Sequence, residues 1–294
     1  MKPCLCLLVL ACFLAACTEL FEPTPKSGTG GYYAVDAILT DRPDRLQEIV
    51  LTHSVPYFSL EYQPMVQGAH VQVNDVVFQE TDPGIYDAPP GFCCESGKMY
   101  RLSIRFPDGR TCTAVSKMPE NGFDVEAIDY AYSGGQQMDM DNVWTIGLWG
   151  RDKGMVNYYM MIHAVNGLYA PIRFAQTTIN LAFQGQVIAG YTIDVLTQTQ
   201  DLQEEYGDVY KKLETGDVIT LDVLTIDKGY YDFLMSLQMN SLSIPLFSPQ
   251  PADAPTNLQG EKVVGYFATC PLSTASVTIE DPQRSYYKKL FPFK

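Results

Sequence analysis

The chain has 294 residues, with 20 basic against 34 acidic and a formal net charge of −14. Such an acidic balance argues against nucleic acid, which binds through basic patches that release counterions, and against electrostatic docking on anionic lipid. Hydrophobic residues make up 46% of the chain and aromatic residues 12%, enough for one large or two ordinary packed domains.

Residues 1–16 open with a single charge, Lys2, continue through the apolar run Cys4 to Phe13 and end in the small pair Ala15-Ala16. This is the order of regions in a secretory signal, and the run is too short for a membrane-spanning helix. Cys17 follows the small pair directly, and a polar Pro- and Gly-rich stretch follows Cys17. A thiol at that point is the nucleophile that takes a diacylglycerol group before cleavage, so Cys17 is predicted to be the lipid attachment site, carrying palmitate-type acyl chains. At about 0.8 kcal/mol per buried methylene, several acyl chains hold a protein firmly to a bilayer. The expected organisation is a lipoprotein signal peptide over 1–16 and a lipid anchor and tether over 17–31. Removing 1–16 takes away Lys2 alone among charged residues, so the charge moves from −14 to −15. No second long apolar run follows.

Short apolar runs bounded by turn residues come next, at 32–40, 48–55, 69–75, 76–80 and 84–88, each reading as a strand. Alternation in Ala69, Val71 and Val73 turns His70 outward, as a solvated surface residue. The segment 99–119 is the clearest local pattern. Tyr100, Leu102, Ile104 and Phe106 share one face, Arg101, Ser103 and Arg105 the other, and Pro107-Asp108-Gly109 supplies a type I turn with Gly at the left-handed position. That register pairs Ile104 with Cys112 and Leu102 with Ala114, turning Cys112 to the apolar face. Residues 32–118 are therefore expected to form an antiparallel sandwich, immunoglobulin-like or prealbumin-like.

The pattern breaks around Met118-Pro119-Glu120-Asn121-Gly122, and new strands begin in the runs FDVEAIDYAY, NVWTIGLWG and VNYYMMIHAVNG. A second, β-rich domain is expected over 119–294, with a charged helix near 200–213, a strand over 217–226 and a helix over 228–239. In the last helix Tyr231, Leu234, Met235 and Gln238 share a face and Tyr230, Phe233 and Leu237 form a second apolar line, which implies a helix packed on a sheet. The whole chain reads as mainly β, two β-rich domains with one or two helices.

Four cysteines, Cys93, Cys94, Cys112 and Cys270, remain after the signal and the anchor. Export permits disulfides, and the inward placement of Cys112 makes a bridge to Cys93 or Cys94 the candidate; a vicinal Cys93-Cys94 bond is strained. Closing a loop of about 18 residues would contribute roughly 3 kcal/mol in the chain-entropy picture. The alternative is buried free thiols. Zinc is disfavoured, because there is no CxxC or HxxxH and His53, His70 and His163 lie far apart. No GxSxG, HExxH or Walker motif is present, and Lys98 in SGKMY lacks the hydroxyl residue that should follow it. Asp139 to Asn142 resembles the start of a calcium loop, but Val143 stands where an oxygen ligand is needed. The stretch LWGRDKGMVNYYMM gathers Trp149, Tyr158 and Tyr159 near Arg151 and Lys153, as a β-core with a charged turn or as a recognition surface. No catalytic residue, cofactor or metal is predicted.

The run YYAVDAILTD soon after Cys17, IVLTHSVPY followed by VQGAHVQV, PGIY before GKMYRLSI, and the later TGDVITLDVLTIDKGYYDFLMSLQ and FSPQPADAPTNLQGEKVVGYF occur in an order that resembles the Bacteroidetes lipoproteins of the domain of unknown function 4249 group. That group is typically encoded beside outer-membrane TonB-dependent receptors and brings no catalytic residues to carry over. The resemblance implies a non-enzymatic outer-membrane lipoprotein at the cell surface, the periplasmic face being the alternative. It would act as an accessory to a receptor, capturing an unidentified ligand or covering the receptor's mouth. An independent surface adhesion or structural module is the other reading.

Overall fold

The computed structural model describes residues 31–45, 47–54, 63–132, 144–152, 157–170, 175–180, 187–195, 212–241 and 254–286, with the backbone alone for 180, 187–195 and 239–241. The expected charged helix near 200–213 and the residues Cys17, Asp139 to Asn142 and Lys153 lie outside the described residues, apart from 212 and 213 at that helix's end.

The elements in chain order are β1 (Tyr33–Thr40), β2 (Glu48–His53), β3 (His70–Val73), β4 (Val76–Asp82), β5 (Ile85–Asp87), β6 (Met99–Arg105) and β7 (Thr111–Lys117). They continue with β8 (Phe123–Tyr132), β9 (Trp144–Asp152), β10 (Asn157–Val165), β11 (Leu168–Tyr169), β12 (Gln176–Asn180), β13 (Val187–Val195) and β14 (Val218–Ile226). The helix α1 (Lys228–Ser241) and strands β15 (Gln259–Gly260), β16 (Val263–Cys270) and β17 (Leu272–Thr278) complete the chain. The protein is mainly β.

Nine strands run in the order β15-β7-β6-β3-β4-β5-β2-β1-β16 as one nearly closed sheet, curled so that two walls face each other. β4 is the corner: Val76 to Phe78 pair with β3, and Gln79 to Asp82 pair with β5. Because side chains alternate along each strand, Val35, Ala37, Leu39, Ile49, Leu51, Tyr86 and Phe267 point in from one wall and Val71, Val73, Leu102, Ile104, Cys112 and Ala114 from the other. The hairpin forms as its pattern requires, with Ile104 opposite Cys112, Leu102 opposite Ala114 and Gly109 at φ 88°.

The opposite seam closes through side chains. The hydroxyl of Ser116 on β7 lies 2.9 Å from that of Thr269 on β16 and accepts the Thr269 N–H at 3.0 Å. The Asn257 amide donates to the carbonyls of Val115 at 3.2 Å and Phe267 at 2.7 Å, while its oxygen accepts the Phe267 N–H at 3.0 Å. One residue thus supplies the hydrogen bonds that a continuous ladder would have made. Gly265 is required beside this seam, since at φ 109° an added Cβ would meet the Val35 carbonyl oxygen at 2.0 Å.

β1 pairs along all eight residues with β16, in parallel, from Tyr33 opposite Val263 to Thr40 opposite Cys270. Residues 259–270 therefore belong to the first sheet, whereas the sequence pattern grouped everything from 119 to 294. Parallel partners need no connecting turn, so nothing local in the sequence marks this return.

The second unit packs the sheet of β11 and β12 beside β10, then β14 and β17, against the sheet β13-β9-β8. Tyr130, Trp144, Ile146 and Leu148 meet Tyr159, Met161, Val165, Ile219, Leu221 and Val223 in its core. The reverse face of β10 and β14 is covered too. Met160, Leu224 and Ile226 pack with Tyr230 and Leu234 of α1 and with Tyr266, Ala268 and Cys270 on the outer face of β16. Burial on both faces explains the nearly unbroken apolar run VITLDVLTI.

α1 starts on Asp227, whose carboxylate accepts the Tyr230 N–H at 2.7 Å as an N-cap. The face expected from Leu234, Met235 and Gln238 does lie on the sheet, with Gln238 Nε2 donating to the Ala175 carbonyl at 2.8 Å. The two units are sewn by continuous chain, because β16 passes into β17 through Pro271 alone. Arg45 adds a second fastening, reaching Asp222 at 2.9 Å and Thr274 at 3.1 Å.

Candidate functional site

The residues singled out in sequence do not come together. His53 lies tilted against Tyr33 with ring centroids 4.8 Å apart, His70 is exposed on β3 as expected, and His163 is buried on β10, where desolvation pushes its imidazole down to about 4. The aromatic stretch of β9 and β10 is mainly core: Tyr159 packs edge-on to Phe123 with centroids 5.4 Å apart, Met160 and Met161 are buried, and half-buried Tyr158 lies against Tyr231. Arg151 pairs with Glu126.

Cys93, Cys94, Cys112 and Cys270 are all free thiols, so the expected bridge from Cys112 to Cys93 or Cys94 is not formed. The reason is level, not face. Cys94 lies beside Tyr100, whose hydroxyl accepts the Glu95 N–H at 2.6 Å and whose ladder partner is Ser116. Cys112 pairs with Ile104, four residues further along the same hairpin, a rise of about 13 Å. A disulfide spans a Cα separation of at most about 7 Å. Burial pushes the Cys94 thiol up to about 12 and the Cys112 thiol up to about 11, and it raises that of Cys270 well above the ordinary range.

A different set of groups lines up on the outer face of the wall formed by β5, β2 and β1. Glu48 and Asp87 are directly opposite ladder partners, which sets their Cβ atoms roughly 5 Å apart. Asp36 pairs with Val50, two residues along β2, and so stands diagonal to Glu48 at roughly 7–8 Å. The three carboxylates form a row across three strands. Asp87 Oδ2 accepts the Thr81 hydroxyl at 2.8 Å, while Asp87 Oδ1 is buried without a hydrogen-bond partner among the described residues.

The electrostatics follow from crowding. Asp36 keeps solvent access, but protein surrounds it on its other sides; burial, then the Glu48 charge, pushes its carboxyl up to about 6. Burial, then the Asp87 charge, raises Glu48. No ion pair among the described residues involves any of the three. On the far side of Asp36 its ladder partner Tyr266 is held by Tyr230 and Phe233, with centroids 5.1 and 5.5 Å away. Among the described residues no three carboxylate, imidazole or thiol groups converge closely enough for a metal ion. None of the three acids was singled out in sequence, because each alternates outward as any surface acid does.

Fold and surface together define a protein of two packed β units, sewn by one strand and one helix, with an acidic row on the first that no ion pair among the described residues neutralises. Residues 18–276 match the sequence model described as Domain of unknown function (DUF4249), and the chain belongs to that family. No curated protein matches the chain significantly.

Proposed function

We propose that the protein is a non-enzymatic lipoprotein of a Bacteroidetes outer membrane, anchored through Cys17 at the cell surface, that serves a TonB-dependent receptor in nutrient uptake by capturing its ligand or covering its mouth. The observation that supports this reading is the acidic row: Asp36 is exposed, Glu48 and Asp87 are partly so, and no ion pair among the described residues neutralises them, so the wall presents negative charge to a partner. The family match beginning at residue 18, immediately after Cys17, supports the anchor. A tethered protein has a high effective concentration for a membrane neighbour, so a weak interface suffices for occupancy.

Cys17→Ser abolishes labelling by a clickable fatty acid and leaves an uncleaved or mislocalised precursor. Deleting the gene impairs growth on one limiting nutrient as much as deleting the adjacent receptor gene, and the double deletion is no worse. Unchanged receptor-dependent uptake in the deletion strain refutes the partnership and leaves the independent adhesion or structural module.

A further inference from the structure

The outer faces of the two walls of the first sheet differ in kind. On the wall of β3, β6 and β7, Arg101 and Arg105 are exposed and enter no ion pair among the described residues, and no outward position carries a carboxylate. Three apolar side chains stand in the open among them: Met99 is 57% exposed, Val115 39% and, on the adjoining half of β4, Val77 38%. Exposed Met and Arg beside aliphatic side chains, with acids absent, is the composition that protein interfaces favour over the rest of a surface. The wall of β5, β2 and β1 is its counterpart. There the acids Asp36, Glu48 and Asp87 stand beside half-buried Val50 and Ile85, which are ladder partners of each other. Spacing agrees as well as sign. Glu48 and Asp87 are directly opposite across their strands, and so are His70 and Arg105, each pair with Cβ atoms roughly 5 Å apart; Asp36 and Arg101 each add one further charge beyond the pair.

We propose that these walls are the two halves of one interface: the β3, β6 and β7 wall of one copy docks on the β5, β2 and β1 wall of a second copy of this chain. Different surfaces meet, and they lie on opposite sides of one sandwich, so the contact does not close into a dimer and runs on as an open row. A face formed by β4, β3, β6 and β7 covers about 400 Å² per copy, or about 800 Å² in all, below the roughly 1,200 Å² at which stable complexes begin. The contact is therefore weak in dilute solution and fills where copies are crowded on a membrane. Net charge does not forbid it. At physiological salt the repulsion between two copies of formal charge −14 is screened within about 8 Å, while the facing charges meet inside that distance. The inference goes beyond the receptor reading and borrows from it only the anchor that supplies crowding.

Sedimentation velocity of the full chain in detergent, at about 0.15 M salt and from about 5 to about 500 μM, tests this, because an interface of this size is weaker than micromolar. Sharing of micelles is common to all variants and drops out of their comparison. The expected result is a weight-average coefficient that climbs with concentration and shows no plateau at a dimer. Arg101→Glu/Arg105→Glu, at two exposed positions, makes both walls acidic and weakens association by about tenfold or more; Asp36→Lys/Glu48→Lys makes both walls basic and does the same. An equal mixture of these two variants, each shown to be folded by its urea midpoint, associates again. Asp36→Asn/Glu48→Gln repeats the weakening with side chains of nearly unchanged shape. Lys212→Glu/Lys228→Glu reverses as much charge on the second unit and leaves association unchanged. Sedimentation independent of concentration, growth that stops at a dimer, equal weakening in the Lys212/Lys228 control, or a mixture of folded variants that stays dissociated overturns the interface. None of these measurements involves the receptor, so failure here leaves the gene-deletion test of uptake to decide the accessory role by itself.

Discussion

Asn257→Ala removes the amide that closes the seam between β7 and β16, and its cost can be worked from three hydrogen bonds. Phe267 is fully buried, so its N–H, bonded at 3.0 Å, and its carbonyl, bonded at 2.7 Å, lose this partner where water enters poorly. The Val115 carbonyl loses a longer 3.2 Å bond beside a side chain that is 39% exposed, and water replaces it there. Two stranded buried groups at about 1–3 kcal/mol each, less what partial hydration returns, give about 3 kcal/mol. For a chain of this size that lowers Tm by about 6–12 °C. Asn257→Asp keeps the acceptor for the Phe267 N–H but sets a carboxylate against two carbonyls, so it destabilises at least as much. The assay is urea unfolding followed both by far-UV circular dichroism and by tryptophan fluorescence, since Trp144 and Trp149 both lie on β9 in the second unit. Continuity through Pro271 should make the two wild-type transitions coincide. An Asn257→Ala midpoint equivalent to less than about 0.5 kcal/mol of destabilisation would refute the role given to the clasp, because ordinary surface changes fall in that range.

Thiol chemistry gives a second test: iodoacetamide at neutral pH should label Cys93, which is half-buried, while Cys94, Cys112 and Cys270, buried and with raised thiol pKa, react only after unfolding. Peptide mapping reads this, and labelling of Cys270 in the folded protein contradicts the burial argument. His163 gives the third. Its folded value of about 4 lies below the ordinary 6.5, so the unfolded state binds the extra proton; stability from this group is full above about pH 6.5 and is lost as pH falls towards 4. The linkage is on the order of 3 kcal/mol, and His163→Gln should flatten the decline in urea midpoint over that window; an unchanged slope refutes it.

Much of the fold is legible in local pattern, and what is not legible is long-range. The hairpin from Met99 to Lys117 follows from strict alternation around Pro107-Asp108-Gly109, which fixes both faces and register within a few residues. α1 follows from an apolar face at helical spacing. The pairing of Tyr33 with Val263 has no such signal: parallel strands share no turn, and their register depends on a fold already built around them. The disulfide expectation went astray for a related reason. Alternation says which way Cys112 points, but not how far along the sandwich it lies from Cys94.

The acidic row was hidden by the composition that seemed to explain it. In a chain with 34 acidic residues any single outward Asp or Glu is unremarkable, and Asp36, Glu48 and Asp87 become neighbours only through the strand order β5-β2-β1. Strand order also sorts charge by wall. The outward positions of β3, β6 and β7 on the opposite wall carry His70, Arg101, Arg105 and Lys117 and no carboxylate. Net charge thus describes the long-range field of the molecule, which screening confines to about 8 Å at physiological salt. Within that distance each wall acts by its own residues, so the formal −14 of the whole chain does not describe what either wall meets.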